Sequence, residues 1–326
     1  MTMRKNKHTA DLAFHLLTGL LSVYFVYLVF KLNGECKLCR LQYLFDGSAV
    51  KPFQYRMLIP WILQLLSKSA GVRPMSILVT LNVLLLYLIV FIYRYFLSLF
   101  VDNRHISGYL ALGLFFILPF HNLFARELPI WYPWDFSTLL FFLLGIIAVY
   151  RKNWLLYYPV FIIGTFNKET TCFLPFLYFY AFLGREKIRS LLLHPAASLL
   201  LWLGIKMLMH QLYPESGASV SFFQVKITTN IEYLTRLPHI LMISSLFGFL
   251  WLPVLLLFHH IKEIFIRRSL FVVLIYSIGM FYVGNVYELR IFNEMIPLVL
   301  TAFYLAVYDL SKSPDGSADL PPLSET

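Results

Sequence analysis

The sequence predicts an all-α membrane domain: a polytopic transmembrane helical bundle of about ten spans, with an interfacial helix in the first outer loop. Three observations lead there. Hydrophobic residues make up 59% of the 326-residue chain and charged residues only 13%, about half the ~25% charged fraction of a soluble domain. The apolar residues fall in repeated long runs separated by short polar islands, the pattern of a multi-pass protein. Lipid cannot satisfy free backbone groups, so such runs must be helices or a closed barrel. They are too continuous for the alternation of barrel strands.

The elements follow in order. Leu12 to Phe30 reads as a retained first span, because it is too long for the apolar core of a signal peptide and no small-residue cleavage site follows. The basic start, MTMRKNKH, belongs on the cytoplasmic side. That puts Lys31–Trp61 outside. Tyr55–Ser69 is apolar but short and carries Arg56, Pro60, Gln64 and Lys68, so it either spans or lies along the surface.

Charge counting decides between these. With the helix on the outer surface, the later spans are 75–93, 106–121, 136–150, 153–166, 170–183, 191–211, 239–258, 269–286 and 291–308. The cytoplasmic loops and tail then hold eleven Lys and Arg, and the outer loops after residue 90 hold five. A spanning helix reverses those numbers, so the positive-inside rule favours the interfacial arrangement, with both termini cytoplasmic. Fusing Trp154–Leu183 into one helix would bury Lys168 and Glu169 in mid-membrane, so two short helices meeting at Asn167–Lys168–Glu169 are expected. Residues 1–310 read as a single transmembrane domain. Residues 311–326, SKSPDGSADLPPLSET, read as a disordered cytoplasmic tail.

The net charge of +10 is distributed in small clusters between apolar runs. It therefore serves topology and anionic membrane lipids rather than nucleic acid. Cys36 and Cys39 are spaced to remain as thiols or to close a small local disulfide. They would bind metal only with further ligands. Cys172 lies in an apolar run and reads as packing. No Asn-x-Ser/Thr sequon occurs, which leans away from a glycosylated secretory-pathway protein.

Under this topology the polar islands gather on the outer face, and the cytoplasmic loops are mostly basic with little else. Glu35 and Asp46 lie in the first outer loop, where each follows or precedes a glycine and also suits a turn. Arg56 opens the surface helix, as a snorkelling anchor or as a phosphate ligand. Arg126, Glu127 and Asp135 bracket LPIWYPW, whose aromatics fit an interfacial belt or a platform for sugar rings. Asn167, Lys168 and Glu169 sit at the expected helix break, where the two charges can neutralise each other. Glu288 has no evident local partner, whereas Arg290 and Glu294 are spaced to pair on a helix. A hydroxyl nucleophile needs a carboxylate base, and a departing phosphate needs fixed cations. This face carries both.

The strings PFQYRMLIPW (52–61), WYPWDFSTLLFFLLG (131–145), GTFNKET (164–170) and YELRIFNEMIPL (287–298) give the chain its resemblance. It resembles a compact, bacterial-type member of the GT-C superfamily of polytopic glycosyltransferases. The resemblance implies hexosyl or pentosyl transfer, with inversion, from a polyprenyl-phosphate donor to a glycan, lipid or protein acceptor on the non-cytoplasmic face of a bacterial inner membrane. It implies Asp46 as catalytic base, with Glu35 as second choice. Arg56, Lys168 and Arg290 would hold the lipid phosphate. Arg126, Glu127, Asp135, Asn167, Glu169, Glu288 and Glu294 would bind sugar or acceptor. Many members carry paired acidic residues in the first outer loop, and Asp46 has no acidic neighbour. No metal-binding motif is present, and a divalent cation is the one cofactor the resemblance leaves open. The rival reading is a transporter or flippase for an anionic or lipid-linked substrate, which would need a polar path across the midplane.

Overall fold

The computed structural model describes residues 2–124, 129–214 and 225–311. Among these residues it is a mostly helical bundle with a single two-residue β pairing. Five helical segments among them are long and apolar enough to cross a membrane: Ala10–Leu32, Pro74–Leu97, Ile188–Leu212, Ile264–Val283 and Leu289–Ser311. The remaining apolar stretches form shorter or interrupted helices. The tail expected to be disordered lies outside the described residues, apart from Ser311, which ends the last helix.

Helix α1 (Thr2–Leu32) leads into strand β1 (Gly34–Glu35), which pairs in parallel with β2 (Ile130–Trp131). This short pairing ties the first loop to the loop that follows helix α6 (Leu114–Asn122). Helix α2 (Leu41–Asp46) begins with its Leu41 N–H bonded to Glu35 Oε1 at 2.9 Å and ends at Gly47, whose φ of 81° is the left-handed stop that glycine favours. A 3-10 turn at Phe53–Tyr55 precedes α3 (Leu58–Ala70). With 13 residues, α3 is about 20 Å long, well short of the ~30 Å apolar core of a bilayer. Its apolar face packs on α2, α4 (Pro74–Leu97) and α8 (Trp154–Asn167).

Helix α7 (Asp135–Tyr150) is the centre of the bundle. Twelve of its sixteen residues are buried, which explains why its sequence is apolar on every side. It contacts α4, α8 and α9 (Leu174–Phe182). Gly145 permits the α9 approach, since a Cβ there would lie 2.5 Å from Leu174 Cδ1. Helix α10 (Ile188–Leu212) is the opposite case. Leu192, Leu193, Leu200, Leu203, Met207 and Leu212 are all exposed on it, a surface that fits lipid and not water.

Two expected spans are interrupted. The 106–121 stretch divides into α5 (Arg104–Ala111) and α6 (Leu114–Asn122). The cause is Tyr304, whose hydroxyl reaches in to donate to the Leu110 carbonyl at 2.9 Å and occupies the space a Cβ at Gly113 would need. The 239–258 stretch becomes α12 (Leu237–Ser244) and α13 (Trp251–Leu256), which follow α11 (Ile227–Tyr233). Between α12 and α13, Phe247, Gly248 and Phe249 all adopt left-handed backbone. The freed Phe247 N–H donates to His121 Nε2 at 2.9 Å, and the other ring nitrogen meets Asn293 Oδ1 at 3.0 Å. Those two bonds fix the proton of a neutral His121 on Nδ1.

The break expected at Asn167–Lys168–Glu169 is present. Helix α8 ends at Asn167, a 3-10 turn covers Glu169–Phe173, and α9 starts at Leu174. The chain closes with α14 (Ile264–Val283), a 3-10 segment at Leu289–Met295 and α15 (Ile296–Ser311).

Candidate functional site

Four non-α-helical segments converge at the end of the bundle where α7 and α15 begin and α8 and α14 end: residues 52–57, 131–134, 168–173 and 284–291. They enclose a cavity of about 500 Å3. Its charged lining is Arg56, Asp135, Lys168, Glu169, Lys226, Glu288 and Arg290. One wall is aromatic, with Phe53, Tyr132, Trp134 and Trp202. The facing wall is the apolar end of α14, with Ile278, Met280, Tyr282 and Val283. Ile278 and Tyr282 are exposed on the bundle surface.

Four ion pairs organise the floor, and only Arg290–Glu288 is local in the chain. Arg56 grips Glu169 with two nitrogens, Nε to Oε2 at 3.0 Å and Nη2 to Oε1. Lys206, from the buried face of α10, stands 3.8 Å from Glu169 Oε2. Lys168 donates to Glu294 Oε1 at 2.7 Å, and Thr170 donates to the same oxygen at 2.9 Å. Arg290 donates to Glu288 Oε2 at 2.8 Å and to the Ile130 carbonyl. Asn285 donates to Glu288 Oε1 at 3.0 Å.

The aromatic wall carries part of the cationic load. Tyr132 and Trp134 stack at 5.3 Å, with Phe53 packed on both. Arg290 lies 4.3 Å from the Tyr132 ring centroid, and Arg56 lies 5.1 Å from that of Trp134. Both distances are within cation–π range. Burial pushes the Glu169 carboxyl up, but the Arg56 and Lys206 charges and the Arg56 hydrogen bonds outweigh it and hold it at about 2. Burial likewise opposes the Arg56 charge, and Glu169 overcomes it, so the guanidinium is held more firmly protonated than usual.

After these pairings Asp135 and Lys226 are the lining charges left without an ion pair among the described residues. Asp135 is the first residue of α7 and only half-buried; its Oδ2 accepts the Tyr132 N–H at 3.2 Å. Lys226 is anchored through its backbone N–H to the Tyr282 carbonyl at 2.8 Å. One open carboxylate and one open ammonium therefore face a cavity whose other charges are neutralised and fixed. Such a site can accept a proton from a hydroxyl and hold an anion.

The sequence-predicted residues divide sharply. Arg56, Asp135, Lys168, Glu169, Glu288 and Arg290 line the cavity, and Glu294 lies beneath it as the fully buried partner of Lys168. Asn167 does not reach the cavity. It is buried, accepts from Ser137 at 2.7 Å and donates to Thr138 at 2.8 Å, so it fastens the end of α8 to the first turn of α7. Asp46 and Glu35 also lie outside the lining. Asp46 closes a turn by accepting from the Ser48 N–H and hydroxyl, beside a separate shallow depression with Tyr213 and Pro214. Glu35 is occupied with the start of α2. Arg126 and Glu127 lie outside the described residues.

Lys206 and Lys226 were not expected. Lys206 had a signal, a lysine inside an apolar run, which is costly unless paired. Lys226 had none beyond its charge. Cys36 and Cys39 are free and buried; the Cys39 thiol bonds the Cys36 sulfur and lowers Cys36 to about 7, while burial drives Cys39 up. Among the described residues no group of three His, Cys, Asp or Glu gathers as a metal site. No family model matches the chain, and neither a curated protein nor a solved structure matches it.

Proposed function

We propose that the chain is a membrane glycosyltransferase that moves a sugar from a polyprenyl-phosphate donor to an acceptor hydroxyl at this cavity. The carrying observation is the lining itself: a carboxylate without an ion pair, Asp135, shares one cavity with Lys226, Arg56 and Arg290 and with an apolar wall from α14. Asp135 takes the acceptor proton, the acceptor oxygen attacks the anomeric carbon, and the bond to phosphate breaks. Lys226 and the spare donors of Arg56 and Arg290 receive the phosphate charge as it develops. Tyr132 and Trp134 offer flat faces to a sugar ring, and the exposed Ile278 and Tyr282 offer an apolar path for the carrier lipid.

In this reading the cavity faces outward, both termini are cytoplasmic, and the short helices complete a set of about ten spans. The donor and a glycan, lipid or protein acceptor enter from the outer side. Beneath the cavity, Phe142, Leu143, Ile146, Leu174 and Leu177 are buried and apolar, which supports one-sided access over a translocation path.

The test is transfer of labelled sugar from polyprenyl-phosphate donors in proteoliposomes. Transfer by the natural chain that is lost in Asp135→Asn, at equal protein level, supports the reading. Transfer that continues unchanged in that variant overturns the role of Asp135, and absence of transfer across hexose and pentose donors overturns the glycosyltransferase.

A further inference from the structure

The other end of the bundle holds a second charged cavity, formed where α4 ends, α5 begins and α7 turns into α8. Its volume is about 600 Å3. Three guanidinium groups line it, from Arg94, Arg104 and Arg151, against one lining carboxylate, Asp102. The rest of the wall is largely apolar and includes Phe91, Leu144, Ile147 and Leu156.

Arg94 is the fixed member. It is only 5% exposed, its Nη2 donates to Asp11 at 2.6 Å, and its guanidinium covers the Phe14 ring at 4.5 Å. Its Nε and Nη1 are fully buried and have no hydrogen-bond partner, so Arg94 supplies the cavity with fixed charge, and the open donors come from Arg104 and Arg151. Arg151 commits one nitrogen to the Tyr95 hydroxyl at 3.1 Å. Among the described residues no carboxylate pairs with Arg104 or Arg151. Asp11 and Asp102 together balance two of the three cations, and the cavity keeps one positive charge in excess.

We propose that this cavity binds the phosphate headgroup of an anionic membrane lipid. Guanidinium forks match phosphate oxygens in pairs. The flanking surface selects a lipid over a soluble phosphate: Phe91, Tyr95 and Leu156 are exposed at the cavity, and Leu155 beside it is 92% exposed. Acyl chains cover that apolar strip while the phosphate sits among the arginines. The proposal is independent of the reaction assigned to the other end.

Native mass spectrometry of the purified full chain, titrated with diacylphosphatidylglycerol or diacylphosphatidylcholine, tests it. The expected result is saturable retention of phosphatidylglycerol, weakened about fivefold for each arginine lost in Arg104→Ala and Arg151→Ala. Both residues are exposed, so neither variant threatens the fold. Arg185→Ala with Arg189→Ala, at the same end but outside the cavity, leaves retention unchanged. Equal retention of phosphatidylcholine, no effect of the cavity variants, or an equal effect of the 185/189 pair overturns the proposal. So does inorganic phosphate at millimolar concentration displacing the lipid fully, which would make the cavity a soluble-anion site.

Discussion

Glu169 is held by Arg56, 113 positions away in the chain, and not by Lys168 beside it. The extended Lys168 backbone separates the two side chains, with Lys168 turned to Glu294 and Glu169 turned to Arg56 and Lys206. This exchange of partners ties the first loop to the break between α8 and α9. Removing Arg56 strips Glu169 of its two-pronged partner and leaves it only the Lys206 ammonium at 3.8 Å, a loss that approaches the ~3 kcal/mol of breaking a buried pair. Arg56→Ala is therefore expected to lower the unfolding midpoint of the detergent-solubilised chain markedly. Arg56→Lys falls in between, since an ammonium cannot reproduce the two-pronged contact. Equal melting of Arg56→Ala and the natural chain would remove the pair from the list of supports.

The same contact sets a pH dependence. Glu169 is depressed from an ordinary 4.5 to about 2 in the folded chain. A depressed carboxylate stabilises the fold fully above its unfolded value, and the contribution fades as pH falls from 4.5 toward 2. The difference corresponds to ~3 kcal/mol. Thermal melting followed from pH 7 down to pH 3 is expected to show this loss. Glu169→Gln starts lower at pH 7 and shows a shallower fall. Parallel curves for the two proteins would mean that Glu169 does not carry the acid sensitivity.

The carboxylates give a third prediction. Asp135→Asn is expected to reduce sugar transfer by roughly 100-fold or more, the usual contribution of a general base. Asp46→Asn and Glu35→Gln are expected to keep near-natural rates, because their oxygens are bound to the Ser48 turn and to the start of α2. Glu35→Gln loses at most ~1 kcal/mol of stability, the scale of a helix cap. Transfer rates and melting points measured on the same preparations separate the two effects. A collapse of the rate in Asp46→Asn with Asp135→Asn unaffected would return the base to the first loop.

The contrast between Asp135 and Asp46 shows what was legible in the sequence. Placing charges within apolar runs was enough to locate the helix break at residues 167–169 and most of the charged lining of the cavity, because lipid makes an unpaired charge there expensive. The pairings were not legible. Arg56 with Glu169 and Lys168 with Glu294 join segments more than a hundred residues apart, and local spacing instead pointed to Lys168–Glu169 and Arg290–Glu294. The resemblance implied Asp46 as the base; in the structure its carboxylate accepts from Ser48 within an Asp-Gly-Ser turn. The interruptions at Gly113 and Phe247 depended on Tyr304 and His121, contacts that only the packed bundle creates.

The arrangement of the two charged ends gives the final prediction, on sidedness. Asp46 and Lys68 are both exposed, as are Arg151 and Arg185 at the other end of the bundle. Helix α3, with 13 residues, is too short at ~20 Å to carry Lys68 across a bilayer from Asp46. Single cysteines at 46 and 68, in a chain lacking its three natural cysteines, are therefore expected to react together with a membrane-impermeant thiol reagent applied from outside. Cysteines at 151 and 185 are expected to react only after the membrane is opened. Lys168 is a poor reporter because it is buried, so its labelling would read packing and not side. Reaction of 46 without 68 would mean that α3 crosses the membrane despite its packing on α2, α4 and α8, and would put the candidate site and the first loop on different sides.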